Sequence, residues 1–207
     1  NYKPCKEFGL FYSYIDQVNT IFGSEEPEPK FIQAQASKQE SKIHLIQAKM
    51  NYNPLLNAVV YGYLMDFEDL ATWSNQTYGL RVTGKKNDFK YSAEYANQTE
   101  YADQPTDYDA DYYALELGYN ISSQSTILGD ISIGYEVLGS DDGKIAFQTP
   151  LATKHKFNGW TDMFLTTPAN GLKDLYITSN FNIFSKGKLG TELHQYRSEE
   201  KNIDYGQ

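Results

Sequence analysis

The chain has 207 residues, 40% of them hydrophobic and 22% charged, with a formal net charge of -9. That balance excludes a compositionally disordered chain, and the negative charge argues against nucleic acid as a partner, which needs a basic footprint. One cysteine, Cys5, excludes an internal disulfide framework and a multi-cysteine zinc site.

The longest near-continuous apolar stretch, Ala58 to Met65, falls far short of the roughly 20 residues a membrane helix needs. Membrane strands need only about 9–11 residues each, with alternate ones apolar, so the pattern leaves them open. Tyrosine leads the aromatic residues, with 18 against 11 Phe and 2 Trp. A ring with one wet end suits pleated surfaces and membrane interfaces. The chain starts NYKPCKEF, without the apolar core of a signal peptide, and stops at NIDYGQ in charged, turn-like sequence. Both ends read as those of a piece of a longer protein.

Helical periodicity is almost absent and alternating runs are many, so nine strands are expected. The first lies near Phe8 to Asp16, the second near Lys42 to Met50, the third near Leu55 to Phe67. The middle of the third is apolar on both faces, which predicts cover on both sides. The fourth sets Tyr78, Leu80 and Val82 against Gly79, Arg81 and Thr83. The fifth sets Phe89, Tyr91, Ala93 and Tyr95 against Lys90, Ser92 and Glu94. In the sixth, Tyr113, Leu115, Leu117 and Tyr119 oppose Tyr112, Ala114, Glu116 and Gly118. In the seventh, Ile127, Ile131, Ile133, Tyr135 and Val137 oppose Asp130, Ser132, Gly134 and Glu136. The eighth sets Leu175, Ile177, Phe181 and Ile183 against Asp174, Tyr176, Thr178 and Asn180, and the ninth lies near Lys188 to Tyr196.

Tight connections (51–54, 84–88, 122–125, 185–187) alternate with longer ones (17–41, 68–77, 101–107, 139–173). In an up-and-down sheet this puts every tight turn at one end. Short turns on one side and long loops on the other are the mark of outer-membrane barrels, although a soluble antiparallel barrel or meander shares the rhythm. Tyrosines at the ends of the apolar faces fit interfacial girdles or ordinary cross-strand pairing. The second face is too charged for a dry core, because an unpaired buried ion costs several kcal/mol. A water-filled lumen or open solvent removes that cost.

The run Gly134-Tyr135-Glu136-Val137-Leu138-Gly139-Ser140-Asp141, then Phe147-Gln148-Thr149-Pro150-Leu151-Ala152-Thr153-Lys154-His155-Lys156-Phe157-Asn158-Gly159-Trp160-Thr161-Asp162, and Thr167 to Tyr176 (TPANGLKDLY), carries a resemblance. It resembles the alginate-export-like, porin-type outer-membrane barrels of Gram-negative bacteria. The likeness implies an all-β, antiparallel up-and-down transmembrane β-barrel, one domain over 1–207 and part of a larger barrel. It implies a channel in the cell outer membrane, surrounded by lipid and lipopolysaccharide, passing a polar small molecule or saccharide. Nine strands cannot close an even-stranded barrel, so further strands are expected.

The lumen-lining candidates are Arg81, Lys90, Glu94, Glu116, Asp130, Glu136, Asp174 and Glu192, with Lys188 also on that face. Their balance is acidic, which departs from the cationic lumen of alginate exporters and would repel a polyuronate. The loop over 140–171 is too long for a passive link and is expected to act as a pore constriction or a rim cap. Its candidates are Phe147, Lys154, His155, Lys156, Phe157 and Trp160, and Met163 and Phe164 also need cover. Lys154 and Lys156 make a basic spot expected to lie beside Glu136 and Asp174.

No nucleophile elbow, zinc signature or phosphate loop occurs, so no enzyme, cofactor or metal is expected. Asp103, Asp107, Asp109, Asp141 and Asp142 lack EF-hand spacing and read as solvated loop charge. Two other readings stand beside the channel: a non-conducting outer-membrane barrel whose loops bind surface ligands, and a soluble β-barrel holding an apolar ligand.

Overall fold

The computed structural model describes residues 7–19, 38–121, 129–152, 158–159, 161, 163–183, 187–201 and 204–206. Its strands are β1 (Glu7–Asn19), β2 (Lys38–Asn53), β3 (Leu56–Phe67), β4 (Asn75–Lys86), β5 (Phe89–Glu100), β6 (Asp109–Asn120), β7 (Gly129–Leu138), β8 (Ser140–Asp141), β9 (Ile145–Ala146), β10 (Leu172–Ile183), β11 (Gly187–Arg197) and β12 (Asp204–Gly206). A single 3-10 turn, Ala71–Trp73, joins β3 to β4. The fold is all-β. Ten strands form one antiparallel sheet in the order β1-β2-β3-β4-β5-β6-β7-β10-β11-β12, and β8 and β9 form a separate hairpin. All nine expected strands are present, and the two longest, β2 and β1, extend well beyond the alternating runs that announce them.

Local chemistry explains the tight turns. Asn53 accepts the Leu55 N–H on its side-chain oxygen at 2.8 Å, an Asx turn that brings β2 round into β3. Between β4 and β5 the ladder runs to Lys86↔Phe89, leaving only Asn87 and Asp88 as a two-residue loop. Asn87 sits at φ 53°, the left-handed region such hairpins require and asparagine tolerates. These turns lie side by side, because the Lys85 N–H donates to the Pro54 carbonyl (2.7 Å) and the Asn120 N–H to the Asp88 carbonyl (2.8 Å). The third expected tight turn, 122–125, and most of the fourth, 185–187, fall outside the described residues. The pairs Asn120↔Asp130, Gly129↔Phe181 and Ile183↔Gly187 bring their flanking strand ends to the same edge.

Register sorts the side chains into two faces. One lateral row runs Phe8, Met50, Ala58, Val82, Ala93, Leu115, Tyr135, Leu175, Gln195. On this outer face, four successive alternate positions on each of the nine long strands carry no Asp, Glu, Lys or Arg. Leu10 is 72% exposed, Leu117 64% and Leu193 71%. The opposite, inner row runs Lys49, Val59, Arg81, Glu94, Ala114, Glu136, Asp174, Tyr196.

β3 corrects one expectation. Val60 is 47% exposed, so among the described residues the strand is not covered on both sides. Its doubly apolar middle has two causes: Ala58 and Val60 belong to the outer apolar belt, while Val59, Tyr61 and Tyr63 join the inner face. Among the described residues nothing pairs with the free edge of β1, and the sheet is open.

The buried core sits on the inner face at the long-loop end. Ala96, Tyr108, Ala110, Leu138, Phe147, Leu172 and Tyr196 form it, with Tyr61, Tyr112, Ile145 and Phe164 packed against it. Small residues at 96 and 110 make room there for aromatic rings arriving from the loop.

Candidate functional site

All eight lumen-lining candidates fall on the inner face. Six of them, Arg81, Glu94, Glu116, Glu136, Asp174 and Glu192, line one hollow of about 240 Å³. Asp130 borders a second hollow near the tight turns together with Lys188. Lys90 lies toward that end too, exposed, opposite Gly118 in the register.

Tyrosines organise this hollow. Tyr61 on β3 crosses Gly79 on β4, and its hydroxyl donates to Glu94 on β5 at 2.7 Å. On the other side, Tyr176 on β10 crosses Gly134 on β7 and donates to Glu116 on β6 at 2.9 Å. A Cβ at either glycine would fall inside the tyrosine ring, so each close approach requires glycine. The two braces converge on β5 and β6 from opposite flanks. Tyr112 donates to Glu136 at 2.6 Å, and Asn158 donates to the other oxygen of Glu136 at 2.7 Å.

Asp174 is 1% exposed and receives His194 Nδ1 at 2.9 Å. The His194 ring stacks on Tyr196, centroids 5.3 Å apart. Arg81 approaches Glu94 at 3.4 Å, with its own side chain half in solvent. Every buried carboxylate here therefore has a donor, which offsets the cost of its burial.

The long connection between β7 and β10 folds onto the inner face. It begins with the β8–β9 hairpin, whose turn places Asp142 and Gly143 at positive φ. Ser140 Oγ accepts the Gly143 N–H at 2.9 Å and donates to the Ala169 carbonyl, tying the start of the loop to its exit. Phe147, 6% exposed, then packs on Tyr112 at 5.2 Å. Gln98 on β5 holds the next residue by two bonds. Its amide donates to the Gln148 carbonyl (2.9 Å), and its oxygen accepts the Gln148 N–H (2.8 Å). Tyr108 also donates to that oxygen at 3.2 Å. Burial first, then the Glu100 carboxylate, push the Tyr108 phenol well above its ordinary range, so it stays a neutral donor.

Of the loop candidates, Phe147 lies inside, while Lys154, His155, Lys156, Phe157 and Trp160 lie outside the described residues. Phe164 packs on Tyr196 at 4.9 Å, but Met163 remains 66% exposed and lacks the cover expected of it. Among the described residues no group of three or more His, Cys, Asp or Glu is placed to hold a metal ion.

The site residues that sequence reading missed are Tyr61, Tyr112, Tyr176, His194, Gln98 and Asn158. A signal existed for two of them: Tyr112 and Tyr176 are large rings on the polar side of an alternating strand. Gln98 lies beyond the alternating run of its strand and carried no signal.

Comparison with protein-family models, curated proteins and solved structures finds no match to this chain. The functional reading therefore stands on the geometry and on sequence pattern.

Proposed function

We propose that this chain forms wall strands of a β-barrel in the outer membrane of a Gram-negative bacterium, acting as a porin-like channel for polar solutes or oligosaccharides. One observation carries the reading. A belt of four alternate positions per strand on the outer face is free of formal charge across nine strands, mostly apolar and largely exposed, while the charges at that level of the sheet point inward. A soluble protein rarely exposes so large an apolar surface, whereas lipid requires it.

Two aromatic rows support the same reading. Tyr95 pairs with Tyr113 (5.3 Å) near the long-loop end, and Phe89 pairs with Tyr119 (4.8 Å) near the tight turns. At about 3.4 Å per residue, the positions from 113 to 119 span about 20 Å along the strand, or about 15 Å of membrane depth at the tilt of such strands, so the two rows lie within an apolar band about 25 Å tall. At the long-loop row, Asp111 accepts both the Tyr95 hydroxyl (2.8 Å) and the Tyr113 hydroxyl (2.9 Å), as suits the boundary between lipid and water. In a closed barrel no edge is left, so the free edge of β1 is paired there.

A second reading has its own observation. The described residues of the 139–171 connection, Phe147, Gln148, Asn158 and Phe164 among them, pack on the inner face at the long-loop end, as part of a plug in a non-conducting, ligand-binding barrel would. Single-channel recording of the full-length protein in planar bilayers separates the two. Stepwise conductance supports the channel. Detergent-dependent insertion without conductance supports the plugged barrel, and stable solubility without detergent overturns both.

A further inference from the structure

We infer that the proposed channel prefers cations over anions, and that Glu116, positioned by Tyr176, is the side chain that sets the preference; this rests on the channel reading above.

The argument is a balance of charges along the inner face. Near the tight turns the inner face carries Lys49, Lys85, Lys90 and Lys188 against Glu7 and Asp130, so that end holds no excess of acid. In the middle, Arg81 is the one lysine or arginine lining the hollow among the described residues, and Glu94 at 3.4 Å takes it up. Asp174 is buried against His194, and Glu136 is held by Tyr112 and by Asn158 of the long loop. That leaves Glu116 and Glu192 toward the open part of the hollow. The Glu192 side chain is 62% exposed, with His194 Nε2 at 3.9 Å, so water screens it well.

Glu116 differs. It is half-buried, and among the described residues no lysine or arginine lies within ion-pair distance and no donor but Tyr176 reaches it. The Tyr176 ring, lying across Gly134, fixes the carboxylate in place over the β6–β7 floor instead of letting it swing toward Lys90. A fixed charge on a low-dielectric wall raises the local concentration of counter-ions, and acidic side chains lining a pore select cations in this way. A polyanion is disfavoured by the same field. The solute class that fits is a cation or a neutral, hydroxylated molecule.

The test is the reversal potential of the full-length protein in planar bilayers under a potassium chloride gradient. Wild type is expected to reverse on the cation-preferring side. Glu116→Gln is expected to lower the cation-to-anion permeability ratio by up to about sevenfold, because one unit charge at roughly 7 Å in a water-like medium enriches the cation about threefold and depletes the anion by the same factor. Glu116→Asp should keep most of the preference, and Tyr176→Phe should reduce it by a smaller factor than Glu116→Gln. If Glu116→Gln does not insert, Ser92→Lys provides the same measurement, because Ser92 stands opposite Glu116 in the register and lines the hollow. Normal conductance with an unchanged ratio, or an anion-preferring wild type, overturns the inference and leaves the channel standing. Absence of conductance in wild type overturns the channel and the inference with it.

Discussion

Gln148 and Thr167, at opposite ends of the long connection, exchange two hydrogen bonds: the glutamine amide donates to the Thr167 carbonyl at 3.0 Å, and its oxygen accepts the Thr167 N–H at 3.2 Å. Because the Gln148 backbone is itself held by Gln98, a chain of amides runs from β5 through the loop to its exit. The loop is thereby fixed to the inner face at polar points as well as by Phe147.

Removing the first link should release the rest. Gln98→Ala leaves the Gln148 N–H and carbonyl without their partner in a buried place, at a cost of about 1–3 kcal/mol. Limited proteolysis should then cut within residues 139–171 at a rate well above wild type, while the sheet stays intact. Equal cleavage rates in the two proteins would show that Gln98 does not hold the loop.

Deleting residues 145–166 removes Phe147 and Gln148 together. In a conducting barrel the expected result is a larger single-channel conductance, because the segment packs against Tyr112 and Tyr196 on the inner wall. Unchanged conductance would place the segment at the rim.

The facing of the strands predicts an asymmetry between the two faces of the sheet. Leu117→Arg should destabilise the membrane-inserted form by about 2–4 kcal/mol if it lies near the bilayer midplane. Thr178→Arg, on the inner face, should cost far less. Unfolding from lipid vesicles in urea measures both, and equal tolerance would argue for a soluble sheet.

Gly134→Ala brings a methyl group into the Tyr176 ring, whereas a Cβ at Gly9 meets nothing within 4 Å. The first substitution should destabilise by about 1–3 kcal/mol through overpacking, and Gly9→Ala should not do so. Thermal unfolding of the two variants side by side checks this.

The end-to-end arrangement of the connections can be read by labelling. With Cys5 replaced by serine, a cysteine at Asn87 and one at Asp103 should react with an impermeant thiol reagent from opposite sides of the membrane. Labelling of both from the same side would refute the topology.

How much of this was legible in the sequence varies from element to element. Strands such as β6 and β7 were plain, because Leu115, Leu117, Ile131 and Ile133 alternate strictly with polar residues. The ends of β1 and β2 were not: in Lys38–Ser41 the alternation lapses, and only pairing across the register extends the strand. The inner-face acids could be placed by parity alone. Their partners could not, because Tyr176 and Glu116 are 60 residues apart and meet only through two intervening register choices and one glycine. The loop hairpin was hidden for a similar reason: two residues per strand are too few to show a period.

The neighbour-to-neighbour order of the sheet bears on how the molecule assembles. Each long strand pairs with the one before it in the chain, so the wall can grow hairpin by hairpin, at little loop-closure cost per step. The contacts on the inner face do not follow that schedule. Gln98 must wait for Gln148, and Glu116 for Tyr176, until β7 and β10 are already docked. They are late events, absent while the wall is growing, so weakening them should leave the rate of assembly nearly unchanged and speed its reversal.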